Sequence, residues 1–135
     1  MGAWGIGIFE NDDACDFAAD VAEGRDITRV ESTLDRVVGA GSGYLESPDG
    51  SEALAAADIV ARLKGQYGEK GSYTETIDNW VAAVKITPSN QLIDKARRAA
   101  SRVLSEPSEL MALWQESEEF EEWKASVEAL LERLA

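Results

Sequence analysis

The spacing of apolar positions predicts a chain built almost wholly from helices. From about residue 11 to residue 134, apolar residues recur every three or four positions, which is the period of an amphipathic helix. After residue 10, no run of five or more residues alternates apolar and polar side chains as a strand would. The sequence therefore predicts an all-α fold, a compact bundle of about six to seven helices. We expect a single domain, residues 1–135, with an extended N-terminal arm, 1–10, and a helical bundle, 11–135.

The first two helices have recognisable ends. Residues 1–10 mix glycines with apolar side chains and show no helical period, as expected of the arm. Asn11 or Asp12 can cap the first helix, which ends at Gly24. Asp26 can cap a second helix, and the glycine-rich segment 39–43 stops it.

The third helix is expected to occupy the centre of the bundle. The segment SPDGS reads as a turn, after which Ser51 can cap a helix that runs to about Gly65. Alanine, leucine, isoleucine and valine surround this helix almost completely, which is typical of a buried one. Ser72 and Glu75 then have the spacing of a capping box for the fourth helix.

Proline and serine mark the last three helix starts. Thr87 followed by Pro88 predicts a capped start for the fifth helix, because proline suits the first helical position. Pro107 can start a short sixth helix, and Ser117 can cap a seventh. Three tryptophans lie on apolar helix faces and are predicted to pack in the core: Trp80, Trp114 and Trp123.

Charge narrows the classes of partner. Thirteen Lys and Arg against 26 Asp and Glu give a formal net charge of −13, which repels nucleic acid and anionic membranes. Solubility alone can explain such an excess, and the sharper alternative is a basic protein partner. Oligomeric state cannot be predicted from this pattern.

The missing residue types argue against several chemistries. The chain has no histidine, so catalysis by Ser-His or Cys-His pairs is excluded. It has one cysteine, Cys15, which excludes an internal disulfide and fits a reducing compartment. No signal peptide and no run of 18 apolar residues is present, so we expect a cytoplasmic protein, no cofactor, and most simply no enzyme.

Carboxylates near the first helix are the weak candidates for a metal site. Asp12, Asp13 and Asp16 could bind a divalent cation such as Mg²⁺ or Ca²⁺. The alternative is that acidic residues in a first turn offset the helix dipole. The same carboxylates raise the pKa of the Cys15 thiol, which favours a packing role over a reactive one.

Asp58 lies within the alanine-rich third helix. A buried carboxylate there could act as a general acid or base. Arg62 is four residues later, so an exposed ion pair on one helix face explains both residues more simply.

The candidates for a partner-binding surface combine acidic and aromatic residues. Residues 116–122 contain five glutamates that flank Phe120, and such a surface can bind a basic protein. The alternative is a solvated helix start. Trp4 lies in the arm and either packs under the bundle or contacts a partner. The candidate partner-binding residues are therefore Trp4, Glu118, Glu119, Glu121 and Glu122.

Three segments resemble the bacterial family catalogued as domain of unknown function 4259: MGAWGIGIFENDDACDFAADV, SPDGSEALAAADIVA and LWQESEEFEEWKASVEALLERL. The most specific motif is W-G-x-G-x-F-x-N-D-x-A, which starts at Trp4. The resemblance implies that the arm and first helix form a shared structural element. In it, Gly5 and Gly7 would allow close backbone approach, and Asn11 or Asp12 would cap the helix. It implies no catalytic residue.

These observations favour a non-enzymatic interaction module that binds a basic protein surface, as immunity proteins and inhibitors do. The alternative is a protein that binds a divalent cation or a small molecule through carboxylates near the first helix.

Overall fold

The computed structural model describes residues 5–24 and 27–135, and their fold is an all-α bundle. Within these residues the backbone forms one isolated parallel bridge, Leu45 to Ser108, and no strand. The helices are α1 (Asp12–Gly24), α2 (Thr28–Gly39), α3 (Ser47–Leu63), α4 (Glu75–Val84), α5 (Asn90–Val103), α6 (Glu109–Gln115) and α7 (Phe120–Leu134). The predicted fold class and helix number are confirmed.

α3 lies at the centre of the bundle, as its composition predicted. It packs against α1, α2, α4, α5, α6 and α7. Every residue from Ala53 to Arg62 is buried, and five of these ten are alanines. Small side chains let the neighbouring helices approach closely. Because these neighbours cover α3 on all sides, this stretch has no solvent-exposed polar face.

The arm turns directly into α1. Glu10 donates its backbone N–H to the carbonyl oxygen of Gly7 at 3.0 Å, which closes a turn. The side-chain oxygen of Asn11 accepts the N–H of Ala14 at 2.8 Å, so Asn11 is the predicted cap. Asp26, the predicted cap of α2, lies outside the described residues.

The prediction that SPDGS precedes α3 as a turn is wrong. These residues form the first turns of the helix, which begins at Ser47, and Ser51 is buried within it. Proline fits the first turn of a helix because its missing N–H would have no partner there, so Pro48 fits either a turn or a helix start. The backbone N–H of Ser47 instead donates to the carboxylate of Glu109 at 2.7 Å, from the start of α6.

The starts of α4, α5, α6 and α7, in contrast, lie two residues later than predicted. Thr74 precedes α4 instead of Ser72, and its hydroxyl bonds to Gly71 rather than to the helix. Ser89 caps α5 instead of Thr87 by accepting the N–H of Leu92 at 3.1 Å.

At α6, the cap is Ser108, one residue after Pro107, and the helix begins at Glu109. Ser117 accepts the N–H of Glu119 at 3.1 Å, one turn before α7 begins at Phe120. At these four starts, only Ser89 and Ser108 cap their helices through a side chain, whereas Thr74 before α4 and Glu119 before α7 do not.

The predicted aromatic core is confirmed. Trp80, Trp114 and Trp123 are all buried. The rings of Trp114 and Trp123 stack with their centroids 6.0 Å apart, which joins α6 to α7. Among the described helices, none has the length and apolar character needed to cross a membrane.

Candidate functional site

A buried network of four charged residues links α3, α4 and α7. Arg62 donates from Nε to Asp58 at 3.1 Å and from Nη1 to Asp78 at 2.6 Å. Arg133, near the end of α7, donates from Nη1 and Nη2 to the two oxygens of Asp58 at 2.9 and 3.2 Å. Both oxygens of Asp58 are therefore bonded to guanidinium groups, and two carboxylates balance two cations.

The predicted pair of Asp58 and Arg62 is present, but its predicted exposure is wrong. Their side chains are only 3% and 1% exposed. The prediction considered one helix alone, whereas α3 is covered by its neighbours. Because an unpaired buried charge is costly, this network requires Arg133 and Asp78, which come from distant parts of the sequence.

A cavity of about 410 Å³ opens beside this network. Its walls come from the arm, from α3 and α7, and from the loop between α3 and α4. Its lining residues are Gly7, Ile8, Phe9, Glu10, Asp58, Arg62, Gly68, Glu69, Gly71, Ser72, Tyr73, Thr74, Ser126, Ala129 and Arg133. The size falls within the range of small-molecule pockets in proteins.

Glycines shape two walls of the cavity. A Cβ on Gly5 would lie 2.6 Å from the carboxylate of Glu10, and one on Gly7 would also collide with it. Glu10 Oε1 accepts the backbone N–H of Gly7 at 3.0 Å. The close approach implied by the glycine motif is therefore confirmed, and it is the approach of a side chain to the backbone. A Cβ on Gly68 would lie 2.6 Å from the guanidinium carbon of Arg133.

The candidate acidic residues form a separate surface at the junction of α6 and α7. We define the acidic face as Glu116, Glu118, Glu119, Glu121 and Glu122. All five are exposed, and none forms an ion pair with a described residue. Within the described chain, no cation therefore lies within ion-pairing distance of these carboxylates.

Aromatic side chains connect the segment that carries the acidic face to the core. Phe120 is half-buried, and its ring centroid is 6.1 Å from that of Trp123. Trp123 in turn stacks on Trp114. The first turn of α7 thus packs on the core through its aromatic side chains, while its glutamates remain exposed.

The other candidate residues are distributed as follows. Asp12, Asp13 and Asp16 are exposed on α1, and Asp12 and Asp13 occupy its first turn. No group of three or more Cys, Asp or Glu residues suited to a metal ion occurs in 5–24 and 27–135. Trp4 lies outside the described residues.

Cys15 is a partly buried packing residue, as its surroundings predicted. Its thiol lies 3.0 Å from the carbonyl oxygen of Phe9. Burial raises the pKa of the Cys15 thiol, and the carboxylates of Asp16 and Asp12 raise it further. The thiolate is therefore disfavoured, which argues against a reactive role.

The sequence did not predict the cavity, nor that Glu10 and Arg133 line it. The glycine at position 68 and the pair of glycines before Glu10 were the available signals, because a glycine often marks a close approach.

Comparison with known proteins assigns the chain to a family. No curated protein and no solved structure matches it. The family model described as "Domain of unknown function (DUF4259)" matches residues 2–126. Since this match covers most of the chain, the protein belongs to the DUF4259 family.

Proposed function

We propose that the protein is a non-enzymatic interaction module that binds a basic protein surface through the acidic face. The observation that carries this proposal is the set of five exposed glutamates without a described counter-charge. These glutamates differ from other exposed, unpaired glutamates of the chain by their density, five within residues 116–122. Unpaired carboxylates on a fixed helix start are available to a partner, and they raise the rate of encounter with a basic surface.

Phe120 favours a protein over a simple cation as the partner. It lies between Glu119 and Glu121 in the sequence and remains partly exposed, so a partner can bury apolar area beside charged groups. This arrangement matches an apolar contact surrounded by a polar rim, which is the usual anatomy of a protein interface. An inhibitor or immunity protein for a basic partner is one form of such a module.

The test is affinity capture from the source cell at low and high salt. The test variant carries E118Q, E119Q, E121Q and E122Q, which changes the formal charge from −13 to −9. The matched control carries E23Q, E31Q, E75Q and E106Q and has the same charge. These four glutamates are exposed, are spread over the surface and form no ion pair with a residue that the structure describes.

We expect a specific basic protein to bind the wild type and the control at low salt and to be lost with the test variant. High salt should weaken its binding, because exposed charges are screened. Equal loss with both variants would show that only net charge matters. Binding that is insensitive to salt and to the test variant would overturn the proposal.

A further inference from the structure

We propose that the cavity between the arm and α7 binds a small organic cation, an ammonium group on a compact apolar body, with Glu10 as the partner of the ammonium group. The proposal is independent of the acidic face, because none of the five glutamates of that face lines the cavity. It rests on the volume of the cavity, on its fixed walls and on its charge.

The walls of the cavity are held by buried polar contacts. Asp58 and Arg62 line it and are almost fully buried. Arg62 also donates from Nη2 to the carbonyl oxygen of Glu69 at 2.7 Å, which fixes the loop that forms the opposite wall. On the third side, the hydroxyl of Ser126 lies 3.3 Å from the carbonyl oxygen of Ile6 and joins the arm to α7. A pocket fixed in this way loses little entropy when a ligand binds.

The charge of the cavity favours a cation. The guanidinium groups of Arg62 and Arg133 are already balanced by Asp58 and Asp78. Glu10 and Glu69 also line the cavity, and neither forms an ion pair with a described residue. An anion would have to compete with Asp58 for the guanidinium groups and would meet two uncompensated carboxylates.

Glu10 is the better placed of these two carboxylates. It is half-buried, whereas Glu69 is exposed. The N–H of Gly7 bonds to Oε1, and Oε2 lies close to Gly5, so the carboxylate is held in one orientation. A positioned, partly desolvated carboxylate forms charge-assisted hydrogen bonds with an ammonium group.

Apolar and aromatic side chains supply the rest of the site. Ile8, Phe9, Tyr73 and Ala129 line the same cavity. They can cover a short alkyl chain or a single ring, and a volume of about 410 Å³ accommodates a compound of that size. A mostly apolar pocket with a few placed polar groups is typical of sites for small organic molecules.

The test is a titration followed by the backbone amide signals of the full chain in NMR spectra. The probes are 2-phenylethylamine and 3-methylbutylamine, with 2-phenylethanol as the neutral analogue and 3-phenylpropanoate as the anionic one. We expect at least one amine to shift the signals of residues 7–10 and 68–74 with a Kd of about 1 mM or tighter. The alcohol should bind more weakly, and the carboxylate should not bind.

Glu10→Gln tests the role assigned to the carboxylate. The glutamine keeps an oxygen for the N–H of Gly7, so the arm should remain folded, while amine affinity should fall about tenfold or more. Glu23→Gln is the matched control on the exposed surface of α1 and should leave affinity unchanged. Ala129→Phe, which narrows the cavity, should weaken the binding of the amines without a change in charge.

Three results would overturn the inference. The first is that neither amine shifts the signals of the cavity. The second is that 3-phenylpropanoate binds as tightly as the amines. The third is that Glu10→Gln binds them as the wild type does. Shifts confined to the acidic face would mean that the amines respond only to the general negative field of the protein.

Discussion

The charged side chains at the two ends of α7 differ in burial and in pairing. Near its C-terminus, Arg133 is mostly buried and donates to both oxygens of Asp58. At its N-terminus, the glutamates of the acidic face are exposed and unpaired within the described chain. One helix thus carries both a charge that is part of the interior and charges that are available to other molecules.

The difference follows from the cost of removing charge from water. A buried ion loses hydration worth several kcal/mol, so it is tolerated only when a partner and hydrogen bonds replace the water. An exposed carboxylate keeps its water and needs no partner. Charge alone therefore does not identify a functional residue, because the same charge has a structural role when it is buried and paired and no such role when it is exposed.

The largest expected loss of stability comes from removing a charge from the buried network. Asp58→Ala leaves Arg62 and Arg133 without their shared partner, so we expect the free energy of unfolding to fall by about 3 to 5 kcal/mol. Urea denaturation followed by tryptophan fluorescence measures the loss.

Asp94→Ala is the control for Asp58→Ala. Asp94 lies 3.9 Å from Arg98, and both side chains are more than half exposed. That substitution should cost no more than about 0.5 kcal/mol, as is usual for an exposed pair of this kind. Similar losses for the two variants would show that burial does not distinguish the two kinds of charge.

A smaller effect is expected where a glycine makes room for the network. Gly68→Ala places a Cβ 2.6 Å from the guanidinium carbon of Arg133, so this group must shift although it is bonded to Asp58. We expect a loss of about 1 to 3 kcal/mol, as for other overpacked sites. Gly71→Ala is the matched control in the same loop, since nothing lies within 4 Å of its Cβ position. A loss at Gly71 as large as the loss at Gly68 would contradict the assigned contact.

The sequence predicted the structural features that depend on residues close to one another in the chain. The faces of the helices follow from residues three and four positions apart, and the central place of α3 follows from its composition. Helix starts were less certain, because serine, threonine and proline occur together near each start. Thr87 and Ser89 both suit a cap, and only the geometry of the chain selects Ser89.

The cavity could not be predicted because it depends on contacts between distant residues. Arg133 and Asp58 are 75 positions apart, and no local period relates them. Arg133 lies in a helix whose pattern equally suits an exposed arginine. Glu10 precedes Asp12 and Asp13 by only two and three positions, and only the fold places it in a pocket wall while Asp12 and Asp13 remain exposed.

The smallest expected effect on stability concerns the acidic face, where the loss of charge should hardly change the free energy of unfolding. The variant with E118Q, E119Q, E121Q and E122Q loses favourable interactions with the start of α7 and also loses repulsion among its carboxylates. We expect its free energy of unfolding to stay within about 1 kcal/mol of the wild type, as for most surface changes.

The dependence of stability on salt concentration should show the repulsion among the carboxylates, which the small net change in the free energy of unfolding does not show. Adding salt screens the clustered carboxylates, so the free energy of unfolding of the wild type should rise with ionic strength, and that of the four-glutamine variant should rise less. The control with E23Q, E31Q, E75Q and E106Q should keep most of the wild-type slope, because those four charges are dispersed. Equal slopes for the two variants would mean that the glutamates of the acidic face do not act as a cluster. The contrast with the buried network would then rest on burial alone.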